Sequence, residues 1–347
     1  MKKLLLIATG GTIASKYTEK GLSPQISSEE LLSYVPSARD FCRIDTVQPF
    51  NLDSTNVCQE QWLLLASLIE RKYEYYDGFV ICHGTDTMAY TAAALSYLIQ
   101  NNYKPVVVTG AQKPIDLAVT DARTNLLDSL RFAAHDKAHG VNIVFGGNVI
   151  AGTRAKKEFT KSYNAFSSIN YPVIASIQES RIVFYIDDKY QITRPLTFYH
   201  QLDPRVFLYK LVPGSSGRLL EAIADSFDAV IIESFGVGGL PDYGDDSFYE
   251  ALRNCLRAGK LIIMATQVTH EGSDMSIYQV GKSMKHEFHL PESYDMTLEA
   301  VVAKTMWALG QTKDPEKFRA LFYRTINHDL LFYPEDVSSP LILCNKD

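Results

Sequence analysis

The sequence has no run of Lys or Arg long enough to grip a phosphate backbone, and its net charge of -6 points the same way. Nucleic acid is therefore not an expected partner, and the pair Lys156-Lys157 is too short to count. Cysteine is scarce as well. The five residues Cys42, Cys58, Cys82, Cys255 and Cys344 are odd in number, lie far apart and include no C-x-x-C. That excludes a disulfide framework and reads as reduced thiols in a reducing compartment. No apolar stretch approaches the roughly 20 residues of a membrane-spanning helix, so no membrane contact is expected. The opening Met1 to Ala8 briefly mimics a secretory signal, but its apolar stretch ends at Thr9-Gly10-Gly11, short of the roughly 7–15 residues of such a core. A cytoplasmic protein is expected. Gly (20) and Pro (14) stay near background, which excludes disordered and fibrous classes.

What remains is a globular chain of 347 residues, 46% hydrophobic and 21% charged, more than one core usually serves. The expected fold is two parallel-sheet α/β domains, the larger N-terminal. Residues 1–190 form the first, 191–204 a linker and 205–347 the second. In the first, short continuous apolar runs read as strands covered on both faces: Lys3 to Ala8, Gly78 to Cys82, Pro105 to Thr109 and Val141 to Phe145. Helices lie between them. Ser27 with Glu30 fits a capping box ahead of Leu31-Leu32. Trp62, Leu65, Ala66 and Ile69 make a stripe at helical spacing, as do Leu126, Leu127, Leu130 and Ala133 after Asp121. From Asn148 to about Ile186 the pattern turns to β-branched and aromatic alternation, which suggests hairpins or an irregular flap. In the second domain Val206 to Val212, Ala229 to Ile232 and Leu261 to Ala265 read as strands. Leu219 to Ala224, Phe248 to Leu256 and Leu298 to Leu309 read as helices.

Ligands in such architectures sit in the loops after the strands' carboxyl ends. Two Thr-rich loops occupy that place: Thr9-Gly10-Gly11-Thr12-Ile13 and His83-Gly84-Thr85-Asp86-Thr87. The first lacks the third Gly of a dinucleotide fingerprint and the Gly-Lys-Ser/Thr of a P-loop, which argues against phosphate. Its paired glycines allow close backbone approach and expose N–H groups suited to an oxyanion hole. In the second, Thr85 or Asp86 reads as a helix cap, which is compatible with catalysis. A threonine hydroxyl ionises far above neutral pH, so a nucleophilic Thr needs a positioned base. Thr85, Asp86 and a lysine supply the parts of such a relay.

Together the two motifs resemble the bacterial-type L-asparaginases, and Asp77 to Thr91 resembles their cytoplasmic, type I branch. Val108-Thr109-Gly110-Ala111-Gln112 and Asp121-Ala122-Arg123-Thr124-Asn125-Leu126 match in order and spacing. The resemblance implies hydrolysis of L-asparagine to L-aspartate and ammonia, with weaker action on L-glutamine. It implies a homodimer or homotetramer and no cofactor or metal. By position, Thr12 corresponds to the nucleophile, Thr85 and Asp86 to the second Thr and its Asp, and Lys157 to the relay lysine. Spacing to Phe166 favours Lys157 over the adjacent Lys156. Asp53-Ser54-Thr55 matches the segment that grips the amino acid's two charged groups, with Thr85 and Asp86 also on the substrate. As an isolated triplet it would read only as an Asx or Ser turn.

Two departures stand out. Leu22 occupies the place of a family tyrosine, whose role passes to Tyr17 or Tyr278, with Tyr278 favoured. Gly239 ends Phe235-Gly236-Val237-Gly238-Gly239 where relatives carry an Asn that reaches a neighbouring subunit's site. These motivate a competing reading as a non-catalytic amino-acid-binding protein. Another is the asparaginase-like subunit of a tRNA-dependent amidotransferase. Those subunits carry an extra N-terminal domain, whereas this sequence meets its first motif at Thr9. His83 reads as structural. His286-Glu287-Phe288-His289, beside Lys285, Pro291 and Glu292, reads as a solvated loop rather than a metal site. Tyr73-Glu74-Tyr75-Tyr76 reads as surface or interface packing.

Overall fold

A computed structural model describes residues 1–19, 21–186, 194–241 and 247–332, which fall into two compact units, Met1–His200 and a second from Gln201 on.

The first unit is built on one eight-stranded sheet. Its order is Arg181–Phe184, Ala175–Gln178, Asn148–Ala151, Val141–Phe145, Val106–Thr109, Gly78–Cys82, Lys2–Ala8 and Cys42–Val47. The strands from Val141–Phe145 to Cys42–Val47 run parallel. The expected parallel sheet is therefore present, and the 148–186 segment extends it with antiparallel pairs. Gly146 and Gly147, both at positive φ, turn the chain back there, so the strand after Val141–Phe145 reverses instead of crossing over through a helix.

Both faces are covered, which is why the strands carry no polar alternation. Leu4, Leu6, Ala8, Val80, Cys82 and Val107 pack with Leu31, Leu126 and Leu130 of helices Ser28–Ser33 and Ala122–Ala133. Helix Met88–Leu98 packs against Val141–Phe145 and helix Gln59–Lys72, and every residue of it but Tyr90 is buried. Ser27 caps Ser28–Ser33 by accepting from Glu30 N (3.2 Å). The Glu30 carboxylate turns instead to Lys16 (2.8 Å), so half of the expected capping box forms. Tyr73 is not a surface residue: it is buried and donates to Asn102 Oδ1 (2.5 Å).

The sequence moves from Lys2–Ala8 outward to Cys42–Val47, then returns to Gly78–Cys82 on the other side. That reversal makes the gap between Lys2–Ala8 and Gly78–Cys82 the topological switch point, and their carboxyl ends open into the two Thr-rich loops.

The second unit holds a parallel sheet of Val206–Lys210, Ala229–Ser234 and Leu261–Thr266. Helices Gly217–Ala224, Ser247–Arg257 and Gln279–Phe288 bury Leu220, Phe248, Leu252 and Met284 in its core, and Leu298–Gln311 and Pro315–Phe322 follow. Of the stretch 191–204, residues 191–193 lie outside the described residues. Within the rest, Thr197–Phe198 pairs antiparallel with Ile99–Gln100, so this part is tied into the first unit.

Candidate active site

Three loops converge at the switch point, and glycine is what lets them meet. Thr9 N and Oγ1 both donate to Cys82 O (3.0 and 2.8 Å), lashing the first loop to the end of Gly78–Cys82. Gly10 sits at φ 105, where a Cβ would stand 2.3 Å from Leu52 O. At Gly11 (φ 75) a Cβ would lie 2.3 Å from Gly84 N, and at Gly84 one would lie 2.6 Å from Ser54 Oγ. The first loop thus touches the second, and the second touches the Asp53-Ser54-Thr55 segment. The residues that follow the touching glycines are Thr12 and Thr85.

Thr12 opens a single 3-10 turn, Thr12–Ala14, with Ser15 Oγ donating to Gly11 O (2.8 Å). One N–H of this glycine-flexible loop is already committed. Gly11 N donates to Leu52 O (3.0 Å), so that donor is spent on the fold. Among the described residues, Thr12 N and Thr85 N donate to no backbone carbonyl.

Thr85 is buried, and Lys157 Nζ donates to its Oγ1 (2.8 Å) and to Asp86 Oδ1 (2.6 Å). Lys157 is delivered by the strand Ala155–Lys157, where its register partner is Phe166. Asp53 Oδ1 accepts from Thr55 N (2.9 Å) and Oγ1 (2.8 Å), the Asx-type turn that the triplet alone suggests. Thr87 Oγ1 donates to Ser54 O (2.7 Å), binding that turn to the second loop.

One neighbour escaped the sequence reading. Gln112 stands with Oε1 3.4 Å from Thr85 Oγ1, while its Nε2 donates to Phe159 O (3.2 Å) and Ser162 O (3.1 Å). The Gly110-Ala111-Gln112 motif was visible, but its bearing on Thr85 depends on two parallel strands ending side by side, which no local pattern encodes. The Asp121-to-Asn125 motif explains itself here too. Asp121 accepts from Gln112 N through both oxygens (3.1 and 2.9 Å), and Asn125 Nδ2 donates to Gly110 O (3.0 Å).

Residues 3–190 match the family model described as "Asparaginase, N-terminal", and residues 205–322 match "Glutaminase/Asparaginase C-terminal domain". The chain belongs to the asparaginase family. A Thermococcus kodakarensis protein named L-asparaginase is 38% identical over 325 residues, 93% of this chain and 98% of its own. The solved structure of the thermostable L-asparaginase from that organism superposes with a TM-score of 0.89 at 37% identity, covering 95% of this chain and all (100%) of the other. The L-asparaginase I structure from Vibrio cholerae follows at 0.84 and 27% identity, covering 95% and 99%. A Metallosphaera sedula protein, named as one subunit of a glutamyl-tRNA(Gln) amidotransferase, is 31% identical over 92% of this chain and 74% of its own length.

In this asparaginase-family chain both tyrosines proposed to replace the one missing at Leu22 are exposed. Tyr17 is 70% exposed on the hairpin Ser15–Thr18/Gly21–Pro24, and Tyr278 is 64% exposed at the N-cap of Gln279–Phe288. The Leu22 side chain lies outside the described residues. At Gly239, φ is 102, a conformation that would strain an Asn in that place.

The solvated loop expected around Lys285 is corrected. Lys285 lies on helix Gln279–Phe288, which ends with His289 in the left-handed conformation (φ 50) and sends the chain back alongside it. Lys285 Nζ then meets the fully buried Glu292 (3.0 Å) and Tyr294 OH (3.0 Å). These charges pair with each other instead of with water. The His286 side chain lies outside the described residues.

Proposed function

We propose that this chain hydrolyses the side-chain amide of L-asparagine to L-aspartate and ammonia, with weaker action on L-glutamine, through an acyl-enzyme on Thr12. The observation that carries this is the approach of Gly11 to Gly84: the loops that bear Thr12 and Thr85 touch there, and Lys157 links Thr85 to Asp86. Thr12 Oγ1 attacks the amide carbon, and its proton passes through the Thr85 hydroxyl to Lys157 in its amine form. The carboxylate of Asp86, 2.6 Å away, stabilises the ammonium so formed. Lys157 returns the proton to the nitrogen as the C–N bond breaks and ammonia leaves. Water then attacks the ester by the same path and frees Thr12. Thr12 N and Thr85 N are the donors available to the oxyanion. Asp53, Ser54 and Thr55, with Thr85 and Asp86, bind the substrate's α-amino and α-carboxylate groups, since a buried site must pair each charge.

The test is ammonia release from asparagine and from glutamine by the purified protein. Thr12→Ala is expected to abolish acyl-enzyme turnover while asparagine binding persists; full activity in that variant would overturn the assignment of Thr12. Absence of turnover in the unmodified protein would favour the binding-protein reading. The relative named as part of a glutamyl-tRNA(Gln) amidotransferase motivates one further check, co-purification with a partner and tRNA. The free thiols of Cys42, Cys58, Cys82 and Cys255 support a cytoplasmic setting. A homodimer or homotetramer is the proposed assembly, to be read by light scattering.

A further inference from the structure

The hydrogen bonds behind the second loop have a direction. Trp62 Nε1 is a donor only, and it donates to Thr91 Oγ1 (2.9 Å). The Gly84 carbonyl is an acceptor only, so His83 Nδ1, 2.7 Å away, must carry the ring's proton. His83 Nε2 is then the bare nitrogen of a neutral imidazole, and it accepts from the Thr91 hydroxyl (3.1 Å). The chain runs Trp62 to Thr91 to His83 to Gly84, with each link satisfied. All of it is buried, and burial pushes the His83 imidazole down to about 4, which keeps the ring neutral near pH 7.

We propose that His83 is a positioning residue: its Nδ1–H holds the Gly84–Thr85 peptide plane and so sets the direction of the Thr85 N–H. In a trans peptide the carbonyl and the following N–H point opposite ways, and no cis peptide occurs among the described residues. Turning the Gly84 carbonyl onto the imidazole therefore turns the Thr85 N–H away from it. Gly84 has no Cβ to resist rotation of this plane, yet its Cα must stay glycine because Ser54 Oγ would be 2.6 Å from a Cβ. The site needs a flexible residue there, and His83 supplies the stiffness that glycine lacks. His83 itself is anchored, with its N donating to Thr109 O (2.7 Å) and its carbonyl 2.3 Å from where a Gly110 Cβ would stand.

This inference rests on the asparaginase reading above. Two substitutions divide the imidazole's two functions. In His83→Asn the amide nitrogen falls near Nδ1 and keeps a donor for Gly84. In His83→Gln the carboxamide falls near Nε2, where its oxygen accepts from the Thr91 hydroxyl, and no donor is left for Gly84. Steady-state kinetics on asparagine are expected to show kcat reduced by about 10²-fold in His83→Gln, the scale of one lost oxyanion donor, with KM changed little. His83→Asn is expected to recover most of kcat. Equal kcat in the unmodified protein and His83→Gln would overturn the proposal. So would equal losses in both variants tracking a fall in Tm, which would mark a purely structural histidine. If the unmodified protein releases no ammonia, the asparaginase reading fails instead, and the two failures are thereby distinguished.

Discussion

At Gly11 a single hydrogen atom in place of a methyl decides whether two loops touch. A Cβ there would lie 2.3 Å from Gly84 N, and φ is 75. Gly11→Ala is therefore expected to cost about 1–3 kcal/mol in backbone strain and to force the loops apart. Displacement near 1 Å at a reacting group costs about 10²-fold in rate. The expected result is a kcat loss near that size, larger than the drop in Tm alone would produce. Gly21→Ala is the control, because φ is 106 there and nothing lies within 4 Å of the added Cβ, so strain appears without loop displacement. Similar kcat losses in both variants would rule out the contact as the cause.

The helix Leu298–Gln311 shows the same logic one level up. It starts where Thr297 accepts from Ala300 N (3.2 Å) and carries Lys304 into a site with no solvent exposure. There Lys304 Nζ meets Asp329 Oδ2 (2.6 Å) and Arg324 O (2.8 Å). Asp329 also accepts from Ile326 N (2.8 Å), so the pair ties the segment after Pro315–Phe322 to this helix. Removing one partner strands a buried charge. Lys304→Met is expected to destabilise by about 3–5 kcal/mol, and adding Asp329→Asn should return part of that loss. Urea unfolding of the two variants measures it; a single variant within 1 kcal/mol of the parent, roughly the scale of an exposed pair, would show that water reaches the site.

For the whole molecule, two buried groups pull stability in opposite directions below neutral pH. His83 titrates at 6.5 when unfolded and about 4 when folded, so the unfolded chain holds more protons between those values. Its contribution is complete above pH 6.5 and is lost as pH falls toward 4, on the order of 3 kcal/mol in all. Asp128 is raised from 3.8 to about 6 because burial outweighs its pairing with Arg131. Here the folded chain holds more protons, so stability is lost as pH rises from 3.8 to about 6. The two slopes largely cancel between about pH 4 and 6. Asp128→Asn removes one of them, and its Tm is expected to fall more steeply on acidification from pH 6.5 than the parent's. Parallel Tm curves would refute the assignment to Asp128.

Much of this molecule follows from local pattern. Continuous apolar runs marked the parallel strands because both faces of the sheet are covered, and Ser27 marked a helix start because its hydroxyl reaches an orphan N–H. The motifs that carry Thr12, Thr85 and Lys157 were also legible, since they survive as contiguous residues. What tertiary structure alone decided concerns groups that meet across many residues. Lys285 and Glu292 looked solvated until a left-handed turn at His289 paired them. Gln112 reaches Thr85 only because adjacent parallel strands end side by side. The reversal after Val141–Phe145 was visible as a change of period, but not that its strands extend the same sheet. Periodicity reports which face of an element is buried; it carries no information on which buried group stands opposite, and the chemistry of this site is made of such pairs.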